Sequence, residues 1–418
     1  MYSLTIIFLC IAFATACLLL SLSLPCVTRL RRLYSRSTAL QASVDAESVA
    51  SGDSDAEPLP PIAKPSVTIL ALDNPADQSL NRWLEEVEAQ DYPEFNVVVV
   101  CDATASDTRE ISERYAARYP RVRFTFIPPG SHNLSRRKLA LTLGIKAADG
   151  EYVLTTSTVC RIPSPHWLTL MMASSESPDL VLGTSRPDFE SIHGLGKWYR
   201  QFDYTLRDAQ WIGAAAAGHP FRADGMNLLI RRGLFMQGAG YSRSAYLTYG
   251  DDDIFLCQLL HDAPDASVAV QIAPQSVLIP DWGELTDKTL GEMKDRYDFT
   301  ARYLPKAPFL RNSLISWSQW ISTLCIAAVI CLNIAGLPGS PDTAFFAGNN
   351  WIPGAVGAGM LIGLWGTEII LYRRTASILG SKRLWWAVIP FMHWHPIGNL
   401  LFRLRHSHLR HLHFTCRL

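Results

Sequence analysis

Three consecutive carboxylates, Asp251-Asp252-Asp253, follow Gly250 and precede the apolar run Ile254-Phe255-Leu256. Acids in such a place open a helix, complementing its dipole and capping its free amides. Capping accounts for one or two of them. A carboxylate there can also take a proton from an attacking hydroxyl, the task of a general base. Asp252 is the residue expected to do so, with Asp251 and Asp253 beside it. Cations that suit an anionic partner lie elsewhere in the chain. Arg136, Arg137 and Lys138 begin a helix-patterned run, and the start of a helix favours anions. Arg296 is a second such group, since a guanidinium grips phosphate with two parallel bonds. Asp102 follows the apolar run Phe95–Val100, where it either reads a nucleotide or closes an Asx-turn. His219, Arg222 and Asp224 cluster in GHPFRADGMN and are expected along an acceptor cleft, although a lone histidine is more often structural.

The segments that must position these residues alternate. Ser66–Leu72 is a short β-branched run, followed by a helical pattern through Leu80, Trp83, Leu84 and Val87. A strand at 95–100, a helix at 107–118 and a strand at 122–127 come next. An amphipathic helix at 135–148 and a strand at 151–155 complete the series. Alternation of this kind implies parallel strands with crossover helices and a ligand at the carboxyl ends of the strands.

The order of these segments resembles family 2 glycosyltransferases of the GT-A fold over roughly residues 66–300. The phrase Ala89-Gln90-Asp91-Tyr92-Pro93 is typical of that family. VVVVCDATASDT is similar to its strand that delivers an acid to the nucleotide, with Asp102 matching one family aspartate and Cys101 standing at the other. LSRRKLALTLGIKAADGEY resembles the segment before the metal motif, GHPFRADGMNLLIRRGLF the acceptor-side segment, and YGDDDIF the acidic motif of the catalytic base. Met293-Lys294-Asp295-Arg296-Tyr297 stands where relatives carry Gln-x-x-Arg-Trp.

The resemblance implies an α/β, GT-A-like fold: a mostly parallel sheet with helices on both faces. It implies nucleotide-sugar contacts from Asp102, Arg137, Lys138, Ser157 and Arg296. The family's Asp-x-Asp metal pair falls on Ser157-Thr158-Val159 here. Hard divalent cations need oxygen ligands, and valine provides none. No tightly bound metal is therefore expected, and only weakly held Mg or Mn is left open.

A chain of 418 residues with a net charge of +0 lacks the basic excess of a nucleic-acid binder. Its nine cysteines show no metal or disulfide spacing, which suits a reducing compartment. Residues 1–28 read as an N-terminal transmembrane anchor, because Arg29, Arg31, Arg32 and Arg36 follow the apolar run rather than precede it. Residues 29–65 read as a basic flank and flexible linker, 66–305 as the GT-A-like domain, and 306–418 as a membrane region with a basic tail. Spans are expected at about 314–336 and 351–372. The run 384–402 is interrupted by Pro390, His393, His395 and Pro396 and reads as interfacial or re-entrant. His393 and His395 beside Trp394, with Trp317 and Trp320, read as headgroup anchors.

The expected function is a membrane-bound inverting glycosyltransferase of the cytoplasmic membrane, its catalytic domain in the cytoplasm. The donor is a nucleotide sugar, UDP-linked by preference, and the acceptor a lipid or glycan. The alternatives are a degenerate scaffold that binds without turnover and a processive polysaccharide synthase.

Overall fold

The structure, a computed structural model, describes residues 2–50, 64–73, 79–102, 108–128, 134–191, 196–281, 287–335 and 352–406. It begins with α1 (Tyr2–Ala50), β1 (Val67–Asp73), α2 (Ser79–Glu88), β2 (Phe95–Asp102), α3 (Thr108–Arg118), β3 (Val122–Ile127) and α4 (Arg136–Ala147). Then come β4 (Tyr152–Ser157), β5 (Cys160–Arg161), α5 (Trp167–Met172), β6 (Leu180–Leu182), α6 (Lys197–Ala215), β7 (Leu228–Arg231) and α7 (Arg232–Gln237). The remainder is α8 (Asp253–Asp262), β8 (Val268–Val270), β9 (Ile279–Pro280), α9 (Asp287–Thr300), α10 (Lys306–Ala335), α11 (Ile352–Ile378) and α12 (Val388–His406). Two compact units result. One comprises Arg31–Lys197, Ala214–Leu304 and His406–Leu418, and the other Met1–Leu30, Trp198–Gly213 and Pro305–Arg405.

The first unit is built on a seven-stranded sheet in the order β3-β2-β1-β4-β7-β6-β8. Strands β1 to β4 pair in parallel, β6 and β8 likewise, and β7 runs antiparallel to both of its neighbours. Residues Val67 to Ala71 of β1 are buried on both faces, as a central parallel strand must be. On one face Ile69, Val97 and Val99 pack with Leu80, Trp83, Leu84 and Val87 of α2 and Trp167 of α5. On the other face α4 approaches so closely that a Cβ on Gly144 would strike Leu70 and Val100. The sheet is thus mostly parallel with helices on both faces, as expected. Leu72 lies opposite both Val100 and Ser157, so the ends of β1, β2 and β4 form one edge.

The helix α1 continues through residues 29–50, where a basic flank and flexible linker were expected. Its i,i+4 pair Leu40 and Val44 packs on Leu170 and Ala273. The Gln275 backbone N–H and side-chain amide donate to Gln41 and Asp45. An apolar pair one turn apart, docked on a folded surface, outweighs a polar, unpatterned composition. Residues 51–63 of that expected linker lie outside the described residues, as do the tail residues 407–418 with Arg410 and Arg417.

In the second unit, α1, α10 and α11 are each long and apolar enough to cross a membrane. Polar groups pair between these helices. The Thr15 and Ser322 hydroxyls lie 2.6 Å apart, and Gln319 Nε2 donates to the buried Glu368 at 3.1 Å. The run expected to be interfacial or re-entrant is the continuous helix α12, with Pro396 inside it. Its histidines are inter-helix pins rather than headgroup anchors. His393 meets the Thr323 hydroxyl at 3.0 Å and its carbonyl accepts from Trp320 Nε1, while His395 pairs with Asp203 of α6 at 2.9 Å.

Candidate functional site

The three acids are sorted by their partners. Gly250 adopts φ 87°, a left-handed conformation that glycine alone enters without strain, and it turns the chain into α8. Asp251, buried, accepts from Arg137 Nε at 2.5 Å. Asp253, also buried, faces Arg222 Nη1 at 3.4 Å and accepts from the Ile254 N–H. Asp252 is the N-cap of α8 and accepts from the Asp253 N–H at 2.7 Å. Among the described residues it has no cationic partner, and it alone of the three keeps partial exposure to solvent. Burial, then the charges of Asp253 and Asp251, push the Asp252 carboxyl well above its ordinary value.

Two further elements converge on this acid. Arg137 lies in the first turn of α4, whose N-cap Ser135 is bonded to the Lys138 N–H. Asp251 raises the guanidinium's already high pKa, so its charge is fixed. Its side chain is 40% exposed, and its Nε is committed to Asp251. From the turn before β7, a Cβ on Gly225 would sit 3.3 Å from Asp252 Cβ, 3.5 Å from Asp251 Oδ2 and 3.7 Å from Arg137 Nη2. The bare glycine therefore leaves open the space over Asp252. Asp224 beside it accepts from the Ser185 N–H at 2.6 Å, the Ser185 hydroxyl at 2.5 Å and the Met226 N–H at 3.0 Å. Burial raises its pKa, and those bonds and Arg137 oppose the rise.

The expected residues separate into those gathered here and those employed elsewhere. Asp251, Asp252, Asp253, Arg137, Arg222 and Asp224 come together. Arg296 is close by, its exposed guanidinium 4.6 Å above the ring of Tyr249, which immediately precedes Gly250. Arg222 is not a cleft-lining group. It is buried between Asp253, the Tyr297 carbonyl and the Tyr297 ring, and so fastens α9 to the start of α8. Lys138, expected on the nucleotide, is fully buried and donates to the Ser244 and Tyr249 carbonyls at 2.7 and 3.0 Å. It holds the loop that carries the acids. His219 is exposed, and its N–H closes the end of α6 on the Ala214 carbonyl after the left-handed Gly218. The GHP string is thus a helix stop. Asp102 ends β2 on the same strand edge as Ser157, and its side chain lies outside the described residues.

The positions that would carry a divalent ion do not fit one. Ser157 is half-buried at the end of β4, Thr158 is buried, and Val159 has no side-chain ligand atom while its carbonyl accepts from the Asp281 N–H. The nearby carboxylate of Asp224 is already engaged by Ser185 and Met226. Gly225, Tyr241 and Tyr249 were not singled out by their sequence context. Their roles come from contact across distant loops; Tyr241, for example, donates to the Asp251 carbonyl.

Residues 66–246 match the model of the glycosyl transferase family 2. No curated protein matches the chain. Among solved structures, a mannosyltransferase from Pyrobaculum calidifontis in complex with GDP-Man and Mn2+ is 14% identical, covering 92% of this chain and 99% of its own, with a TM-score of 0.44. TarS of S. aureus is 15% identical, covers 81% and 54% of the two chains, and has a TM-score of 0.38. Glucosyl-3-phosphoglycerate synthase from Mycobacterium tuberculosis, in complex with Mn2+, UDP and glucosyl-3-phosphoglycerate, is 14% identical over 52% and 72%, with a TM-score of 0.34. The family's own model covers the strands and helices that bring Arg137 and Asp224 to the acidic turn, and over residues 66–246 the chain is similar to the family 2 glycosyltransferases.

Proposed function

We propose that the chain is a membrane-bound inverting glycosyltransferase that uses a nucleotide sugar, UDP-linked by preference, without a tightly bound metal. The acceptor is a hydroxyl of a lipid-linked or glycan substrate at the cytoplasmic face of the membrane. Asp252 takes the proton of that hydroxyl as its oxygen attacks the anomeric carbon, and the bond to the diphosphate breaks with the electron pair leaving on phosphate. Arg137, anchored through Nε, offers its terminal nitrogens to the departing diphosphate, with Arg296 as a second cation. Asp102 and Ser157, at the ends of β2 and β4, are assigned to the donor. Asp224, Arg222 and Asp253 hold the turn in place.

The observation that supports this reading is the division of labour in the acidic turn. Two carboxylates are neutralised by arginines, and the third makes no ion pair among the described residues, is partly exposed and is raised in pKa. A base must be available, and of the three acids only Asp252 is free of an ion pair among the described residues. The membrane part of the reading is supported by the three span-length apolar helices. The cytoplasmic side is supported by the arginines that follow residue 28.

The test is turnover of UDP-, GDP- and dTDP-sugars by full-length protein with and without a chelator. Turnover that persists in chelator, and that Asp252→Asn abolishes while UDP binding by calorimetry stays intact, is the expected result. Strict dependence on Mn or Mg for UDP binding would overturn the metal-free part. Absence of turnover with every donor and metal would overturn the proposed reaction.

A further inference from the structure

We propose that the turn joining α11 to α12, together with the last turns of α11, binds the headgroups of anionic phospholipids. The inference rests on the membrane-embedded reading above and adds a partner that the catalytic site does not require. Residues 373–387, RRTASILGSKRLWWA, contain four cations and no acid. Arg373, Arg374, Lys382 and Arg383 are all exposed, as are Trp385 (62%) and Trp386 (56%).

The turn is fixed rather than loose. Gly380 takes φ 63°, and the Ser381 N–H returns to the Ala376 carbonyl at 2.7 Å, closing α11. The Ser381 hydroxyl accepts from Thr205 at 2.9 Å. Leu384, Ala387 and Val388 sink into a cluster with Phe202, Tyr372 and Ala376. Inward and outward positions therefore alternate in pairs. Ser381, Leu384 and Ala387 seat the turn, while Lys382-Arg383 and Trp385-Trp386 are held facing out. Lys382 stays over the Trp198 ring at 5.0 Å, and Arg383 bonds the Ser377 hydroxyl at 3.1 Å.

Two adjacent indoles held out from a seated turn have little reason to face bulk water. Tryptophan settles where hydrocarbon meets headgroup, with its ring in the apolar side and its N–H in the wet side. This turn lies directly after a span-length helix, where the chain leaves the hydrocarbon. Four exposed cations at that level match the negative surface of an anionic leaflet, each strengthening association about fivefold.

The experiment uses the full chain in nanodiscs of phosphatidylcholine alone or mixed with phosphatidylglycerol. Lipids brominated near the head end of the acyl chain should quench the parent's tryptophan fluorescence, and Trp385→Phe with Trp386→Phe should remove part of that quenching. Phosphatidylglycerol should raise the parent's Tm. Joint replacement of Arg373, Arg374, Lys382 and Arg383 by Gln should abolish that rise while leaving the Tm in phosphatidylcholine unchanged. Equal Tm in the two lipids for the parent, or quenching unaffected by the double Phe change, overturns the proposal. Alkaline carbonate extraction is the separate control. Release of the chain from membranes would defeat the embedded reading, and this proposal with it; retention without lipid preference would defeat this proposal alone.

Discussion

Neutralising Asp252 is expected to change turnover and stability in opposite directions. As the unpaired acid of the turn it carries the proposed proton transfer, so Asp252→Asn should lower kcat about 10²–10⁴-fold. Its carboxyl is held well above the ordinary value of 3.8 by burial and by two neighbouring acids. A folded-state pKa above the unfolded one means that folding favours the protonated form. The resulting stability is complete below the unfolded value and is lost as pH rises through the folded one. The Asn variant should therefore have a higher Tm than the parent at neutral pH, and the gap should close in acid. Denaturation scans across pH measure this. The same shift moves the acid limb of the parent's kcat–pH profile upward, because the base must be ionised. Arg137 makes the complementary case. Arg137→Gln leaves Asp251 buried without its guanidinium, which costs about 1–3 kcal/mol. It should also lower kcat about 10²-fold by removing a donor aimed at developing charge. Arg137→Lys keeps the charge but loses the fork, so steady-state kinetics should place it between parent and Gln. The triple-acid string itself was legible in the sequence. Which acid stays unpaired was not, because Arg137 and Arg222 reach the turn from 114 and about 30 residues away.

At the level of elements, the helices and strands of the sheet follow from apolar periodicity. Leu80, Trp83, Leu84 and Val87 mark one buried stripe of α2, and Phe95–Val100 a continuous buried strand. Two glycines then fix how elements meet. Gly144 lets α4 lie on β1 and β2, and Gly144→Val would drive a side chain into Leu70 and Val100. Overpacking of that kind costs about 1–3 kcal/mol, read as a lower midpoint in denaturant. Gly250→Ala adds a Cβ at φ 87° and against Ile254. Strain of about 1–3 kcal/mol is expected, with a larger loss of kcat than of sugar-nucleotide affinity, because the turn aims Asp252. Local pattern misled at Lys138 and His219. A basic helix start and a lone histidine look alike whether they face a ligand or a backbone. Burial of the Lys138 ammonium between two carbonyls, and the Ala214 bond of the His219 N–H, are the deciding contacts.

For the whole molecule, the apolar ends of the chain form helices whose internal polar contacts can be tested. Gln319 Nε2 donates to Glu368, which is 2% exposed on a span-length helix. Glu368→Gln keeps an acceptor and should be tolerated. Glu368→Leu strands the Gln319 amide and should destabilise the helix pair by about 1–3 kcal/mol, seen as a lower unfolding midpoint in detergent. Composition and spacing determined by themselves that this chain alternates strands and helices, that acids follow Gly250, and that carboxylates are missing at 157–159. These are properties of neighbours along the chain. Only the tertiary structure decided that α1 continues to Ala50, that His393 and His395 pin helices together, and that, among the described residues, Asp252 alone of the three acids makes no ion pair. Pairing of charges depends on distances between residues far apart in sequence. No local pattern encodes those distances until the sheet has brought the ends of its strands to one edge.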